Sequence, residues 1–153
     1  MDNIIIRPAT IHDMPVLLEF EQGVIAAERP FDVTLKDSRI NYYDIEKMIF
    51  SETVELVVAT LNGAPVGSGY ARIEEAKPFL KYSRYAYLGF MYVLPQHRGK
   101  GINKLIMEAL SKWAASKDMV ELRLEVYHQN AAAIAAYEKA GFSKLLIEMR
   151  MPV

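Results

Sequence analysis

Two glycines flanked by basic residues stand in the run Gln96-His97-Arg98-Gly99-Lys100-Gly101-Ile102-Asn103-Lys104, at the start of a segment with helical periodicity. Glycine lets successive backbone N–H groups turn toward one anion, and a helix start adds unsatisfied donors and the positive end of its dipole. A pyrophosphate fits such a cradle, with Arg98, Lys100 and Lys104 adding charge. Alone, the run reads equally well as a strand-to-helix turn with solvated basic residues. Farther along, Glu121, Arg123 and Glu125 alternate with Leu122, Leu124 and Val126 and so share one strand face. By this pattern alone Glu125 is part of a solvated stripe. Tyr137, in an alanine-rich stretch, is a core aromatic by type or a hydroxyl that keeps its proton at neutral pH, since its reference pKa is about 10. His12, His97 and His128 lack metal-ligand spacing and cysteine is absent, so no metal is expected.

The elements that must position these groups follow from patterning. Ile4 to Arg7 reads as a strand, and Thr10 with Asp13 as a cap box opening a helix. Gly23 to Asp32 reads as a loop, and Tyr42 to Phe50 as a helix. Val54 to Leu61 and Pro65 to Ile73 flank Asn62-Gly63, a pair that supplies the positive φ angles of a two-residue hairpin turn. Tyr85 to Leu94 is apolar at odd and even positions, which predicts a central strand covered on both faces. Ile102, Leu105, Ile106, Ala109, Leu110 and Trp113 mark one face of a helix from Gly101 to Ala115. A strand through Leu122, Leu124 and Val126, a helix from Ala131 to Ala140 stopped by Gly141, and a last strand through Leu145, Ile147, Met149 and Met151 complete the order.

Composition bounds the reading. With 153 residues, 52% hydrophobic and 24% charged, residues 1–153 are expected to form one packed domain. The 18 basic and 19 acidic residues leave a net charge of −1, which gives no pull toward nucleic acid or an anionic membrane. Met1-Asp2-Asn3 before Ile4 to Ile6 lacks the features of a signal peptide, so a cytoplasmic location is the expectation.

Gln96-x-x-Gly99-x-Gly101 together with Asn130-x-x-Ala133-x-x-x-Tyr137-Glu138-Lys139-x-Gly141-Phe142 resembles motifs A and B of the general N-acetyltransferase (GNAT) superfamily. The distinctive match covers residues 85 to 142; the first half agrees only in its order of elements. The resemblance implies an α/β (α+β) fold: a mixed, mostly antiparallel central sheet splayed between its fourth and fifth strands and flanked by about four helices. Acetyl-CoA is the implied co-substrate, with its pantetheine arm along the backbone of Met91, Tyr92 and Val93 and beside Asn130. Its pyrophosphate would lie on Gln96, His97, Arg98, Gly99, Lys100, Gly101, Ile102, Asn103 and Lys104. Asn103 departs from the small residue that many members carry there.

The implied reaction is attack of a neutral amine on the thioester, with Tyr137 protonating the departing sulfur. Leu124-Glu125-Val126 is similar to the ribosomal-protein N-terminal acetyltransferases, which implies Glu125 as base; a water chain is the alternative. Glu28, Arg29, Tyr42, Tyr43 and Tyr82 lie in segments that flank the acceptor groove in this superfamily, and the acceptor is a small-molecule or peptide amine. A catalytically silent acyl-CoA-binding regulator is the competing reading, and a homodimer is left open.

Overall fold

In the computed structural model, which describes residues 2–153, Asn62 and Gly63 have φ of 51° and 86°, the double positive turn that their types predict. They join β2 (Val54–Leu61) to β3 (Ala64–Glu75) as an antiparallel hairpin. β1 (Ile4–Pro8) lies antiparallel on β2, and β4 (Arg84–Val93) antiparallel on β3. β5 (Leu122–Arg123) lies parallel to β4, so the five strands stand in chain order. The mostly antiparallel sheet with one parallel pair is the arrangement expected.

Alternation along the strands splits the core between two faces. Val57, Ala59 and Leu61 point to one side, where they meet Ile102, Ile106 and Leu110 of α3 (Ile102–Ser116). Leu56 and Val58 point to the other, where Leu17 and Phe20 of α1 (Met14–Glu28) and Ile45 of α2 (Ile45–Phe50) cover them. Each fully buried Leu, Ile or Phe contributes about 1.5–3 kcal/mol of transfer free energy. α4 (Ala131–Ala140) follows β5. Every buried side chain among the described residues lies between Ala9 and Ala114.

Three expectations need correction. Residues 23–28 are helical, not a loop: α1 runs unbroken past Gly23, where a Cβ would meet the Tyr92 ring at 2.5 Å. Glycine is there for close packing and not for a turn. Tyr42 and Tyr43 precede α2, whose first turn is capped by Asp44 accepting the Lys47 N–H at 3.2 Å. The last strand is not formed: Leu145, Ile147 and Met149 are 68%, 86% and 88% exposed, and residues 142–153 have no regular structure. Strand geometry is stabilised by a neighbour's backbone groups, and alternation alone supplies none. β5 itself is two residues long for the same reason, with Leu124 and Val126 outside it.

β4 carries a bulge against β3. Tyr70 pairs with Gly89 and Ser68 with Tyr92, so Phe90 and Met91 together oppose Gly69. Phe90 has φ of 55°, and its carbonyl accepts a bond from the buried Ser68 hydroxyl at 3.0 Å. The extra residue bends β4. β4 and β5 pair only at Ala86 with Leu122 and at Tyr87 with Arg123, and beyond this they part.

Candidate functional site

β4 leads into the glycine run through a single 3-10 turn at Pro95–His97. Gly99 and Gly101 have φ of 80° and 79°, and a Cβ on either would meet nothing within 4 Å. The demand for glycine is therefore conformational, and the space beside both is open. Gly101 is the N-cap of α3, no side chain caps that helix, and its first backbone bond runs from Leu105 N–H to the Gly101 carbonyl at 3.2 Å. The N–H groups of Ile102, Asn103 and Lys104 thus form an uncapped helix start.

Around this start, Gln96, Arg98, Lys100 and Lys104 are exposed, while the Ile102 side chain is in the core and offers only backbone. Arg98 is turned back toward β4: its Nε donates to the Val93 carbonyl at 2.9 Å and its guanidinium lies over the Tyr92 ring at 5.7 Å. Lys100 Nζ lies 3.2 Å from His97 Nδ1. Met91, Tyr92 and Val93 have β3 on one side and no strand on the other. Asn130 caps α4, its Oδ1 accepting the Ala133 N–H at 3.2 Å, which leaves its amide NH₂ to donate elsewhere.

On α4, Tyr137 is half-buried with Phe142 edge-on at 5.8 Å. Burial, and then the charge of Glu28, push its hydroxyl above the ordinary tyrosine range. Glu28, at the end of α1, is itself half-buried, and desolvation raises its carboxyl although Tyr42 partly offsets this. The Tyr42 hydroxyl is buried without a hydrogen bond of good geometry, and burial with the Glu28 charge keeps it protonated. Beside them the Tyr127 hydroxyl donates to Asp32 at 3.0 Å and is pushed up to about 12, by burial first and the Asp32 bond second. Asp32 is held well below the usual carboxylate range by Thr34 and by Arg150, whose Nη2 lies 2.8 Å away. Glu28, Tyr42, Tyr127 and Tyr137 thus converge from four segments. An open groove of about 480 Å³ lies beside Tyr42, lined also by Met14, Leu18, Asn41 and Glu46, and no glycine-loop residue borders it.

The remaining residues singled out by sequence make other contacts. Glu125 is exposed beside Tyr87, whose hydroxyl is raised by burial first and by the Glu125 charge next. Arg29 holds its own loop closed through the carbonyls of Lys36 and Ser38. Tyr43 stacks on Phe90 at 4.5 Å within the core. Tyr82 donates to Glu121 and accepts from Arg123 at 2.7 Å, across β4 and β5.

Sequence reasoning missed Glu21, Ser68, Asp32 and Tyr127. Glu21 is fully buried, and its Oε2 accepts the N–H groups of Tyr42 and Tyr43, each at 2.7 Å, which fixes the tyrosine loop on α1. A signal existed: Leu17, Glu21 and Ile25 are spaced four apart on the apolar stripe of α1, where an acid needs a buried partner. The other three carry no local signal. No group of three or more His, Asp or Glu comes together as a metal site among the described residues, and no helix there is long and apolar enough to cross a membrane.

Comparison with known proteins agrees with this geometry. The chain is 43% identical over 51 residues to streptothricin acetyltransferase of Streptomyces lavendulae, covering 33% of this chain and 27% of that enzyme. In the curated relatives it matches, the shared stretch is 25% to 36% of the relative's own length. A mutant of the BH1408 protein from Bacillus halodurans superposes with a TM-score of 0.88 at 21% identity, over 97% of this chain and 99% of that one. A protein from Clostridium acetobutylicum named a predicted acetyltransferase and solved with acetyl-CoA superposes with a TM-score of 0.72 at 18% identity, over 98% of this chain and 96% of that one. At these identities the two structures speak to fold alone. The sequence profile of the Acetyltransferase (GNAT) family matches residues 24–142, and the chain belongs to that family.

Proposed function

We propose that this protein transfers the acetyl group of acetyl-CoA to a primary amine that arrives as a cation. The observation that carries the reading is the uncapped start of α3 behind Gly99 and Gly101, at the mouth of the splay between β4 and β5. Open space beside both glycines and the unpaired side of Met91 to Val93 fit a pyrophosphate and an extended arm. Lys100 and Lys104 supply exposed charge, and Arg98 closes the end of β4.

The amine nitrogen attacks the thioester carbonyl carbon, the C–S bond breaks, and the nitrogen loses a proton. Glu28 receives the incoming ammonium beside Tyr42, in keeping with the likeness to an enzyme that acetylates streptothricin. Glu125, by the resemblance of residues 124–130, or a water chain takes the proton. Tyr137 gives its proton to the departing sulfur and regains one from solvent. The reference thiol pKa of about 8.5 lies below that of tyrosine, near 10, and burial raises both, so the hydroxyl stays protonated until the thiolate develops.

Tyr137→Phe conserves the apolar area, so folding and acetyl-CoA binding should persist while kcat falls about 10²-fold, read as free CoA thiol over a panel of amines. Wild-type kcat in that variant removes the acid role. Acetyl-CoA binding without turnover on any amine would instead favour the regulator reading.

A further inference from the structure

β3 sends one side chain across β4 at the point where the sheet opens. Tyr70 pairs with Gly89, and its ring lies over that glycine, where a Cβ would meet the Tyr70 Cζ and hydroxyl oxygen at 2.4 Å each. The phenol thus needs glycine beneath it. Gly89 stands two residues past Tyr87, whose pairing with Arg123 is the last between β4 and β5, so the hydroxyl ends at the inner end of the splay. Arg72, on the same face of β3, fixes the phenol from outside. Its guanidinium lies over the rings of Tyr70 and Tyr87, at 5.4 and 5.2 Å, and is tied through Nε to Glu74. Its Nη1 donates to the Tyr70 hydroxyl oxygen at 3.4 Å. An oxygen that accepts from a guanidinium turns its own hydrogen elsewhere, and among the described residues that hydrogen has no acceptor. Burial, before any charge nearby, raises the hydroxyl above the ordinary tyrosine range and so keeps it protonated at neutral pH.

We infer that the Tyr70 hydroxyl is the donor that stabilises the oxyanion during acetyl transfer, with Arg72 holding and polarising it. The inference deepens the acetyl-transfer reading and rests on it. An arm that runs from the glycine loop back along Val93, Tyr92 and Met91 heads toward Gly89. Two methylenes separate the last amide of pantetheine from sulfur, so the thioester carbonyl lies about 5 Å past that amide, about one and a half strand residues. From Met91 this is the level of Phe90 and Gly89, where the phenol ends.

When the amine nitrogen bonds to the carbonyl carbon, the C=O π pair moves onto oxygen. The Tyr70 hydroxyl hydrogen-bonds that oxygen and keeps its proton; the pair returns to carbon as the C–S bond breaks and the thiolate leaves. A hydroxyl that accepts a bond from a cation donates more strongly in turn, which is what Arg72 supplies. The two buried phenols then serve different atoms, Tyr137 the sulfur and Tyr70 the oxygen. Packing alone does not need the hydroxyl, since the edge-on contact of Tyr70 with Tyr43 at 5.9 Å is made by the rings.

Tyr70→Phe keeps the ring, so folding by circular dichroism and acetyl-CoA affinity by calorimetry should match the wild type while kcat falls about 10²- to 10³-fold. Acetyl-CoA labelled with ¹³C at the carbonyl and bound without any amine gives a readout that needs no turnover. A donor at the oxygen moves its resonance downfield, and this shift should vanish in Tyr70→Phe and persist in Tyr137→Phe. Arg72→Gln, at a side chain 43% exposed, leaves the phenol in place and should reduce the shift part-way. Wild-type kcat in Tyr70→Phe, on an amine that the protein acetylates, overturns the inference and leaves the acetyl-transfer reading standing, as does an equal shift in the two proteins. Should Tyr70→Phe fail to fold, an undiminished shift in Arg72→Gln overturns it. A wild type that binds acetyl-CoA and acetylates no amine strikes the reading and the inference together.

Discussion

β2 and β3 are held on both faces and along both edges for most of their length, and β4 on both faces and along its β3 edge, whereas no residue after Ala114 is fully buried. The chain up to Ala114 contains all the buried side chains of the described residues, including Ser68, whose hydroxyl donates to the Phe90 carbonyl, and Glu21, whose Oε2 accepts two backbone N–H groups while its Oε1 has no partner. The chain after it contains none, although it carries Glu125, Asn130 and Tyr137. The difference teaches how the labour is divided. The well-buried platform fixes β4, the glycine run and the start of α3, and the lightly held wall after it carries the remaining residues of the proposed site. Local opening free energies scale with such burial, so the wall is the part that opens most readily.

The largest effect should come from the platform. Leu110→Ala removes a fully buried side chain from the α3 face and should cost about 2–5 kcal/mol, read from the urea midpoint at constant m. A cost under 1 kcal/mol would mean that the α3 face is loosely packed and the contrast overstated. Next is the junction of the two regions. Gly101→Asp forces a side chain into a left-handed conformation and sets a carboxylate at the uncapped helix start, so acetyl-CoA affinity should fall about 10²-fold by calorimetry. Unchanged affinity would move the anion site elsewhere.

A smaller effect is expected at the anchor of α1. Asp13 accepts two bonds from Arg7, at 2.8 and 2.9 Å, and one from the Thr10 N–H at 2.8 Å. The Arg7 bond, more than any other influence, holds the Asp13 carboxyl below its ordinary value. A carboxyl lowered on folding stabilises the protein above its unfolded pKa, near 3.9, and loses that contribution as pH falls through the lower folded value. Asp13→Asn should therefore cost about 1–2 kcal/mol at neutral pH and progressively less in acid. A penalty that stays constant as pH falls would show that charge is not its source. The smallest change is expected in the tail, where Ile147→Ala should shift stability by less than about 0.5 kcal/mol. A core-sized loss there would erase the contrast with Leu110.

The pH dependence of activity sharpens the picture at Glu28, at the end of α1. Burial raises the Glu28 carboxyl, so the form that binds an ammonium is lost at a higher pH than for an exposed acid. The acid limb of kcat/KM should lie above the ordinary carboxylate range and disappear in Glu28→Gln. An unchanged limb assigns it to Glu125 or to the amine.

What could be read without coordinates rests on groups a few residues apart. Asn62-Gly63 dictated its turn, Gly99 and Gly101 stood before a periodic helix, and Gly141 stopped α4. Such signals are local because φ preferences, caps and helical stripes are satisfied within one turn of chain. Tertiary structure alone decided the rest. Whether Leu145 to Met151 becomes a strand depends on a partner edge, and alternation carries no information about one. The bulge at Phe90 needs Ser68, twenty-two residues away, to hold its carbonyl. Glu28, Tyr42, Tyr127 and Tyr137 come from segments up to about a hundred residues apart, and only the folded chain brings Glu28 within electrostatic reach of the three hydroxyls. Contacts across such separations depend on how the chain crosses itself, which no window of the sequence contains.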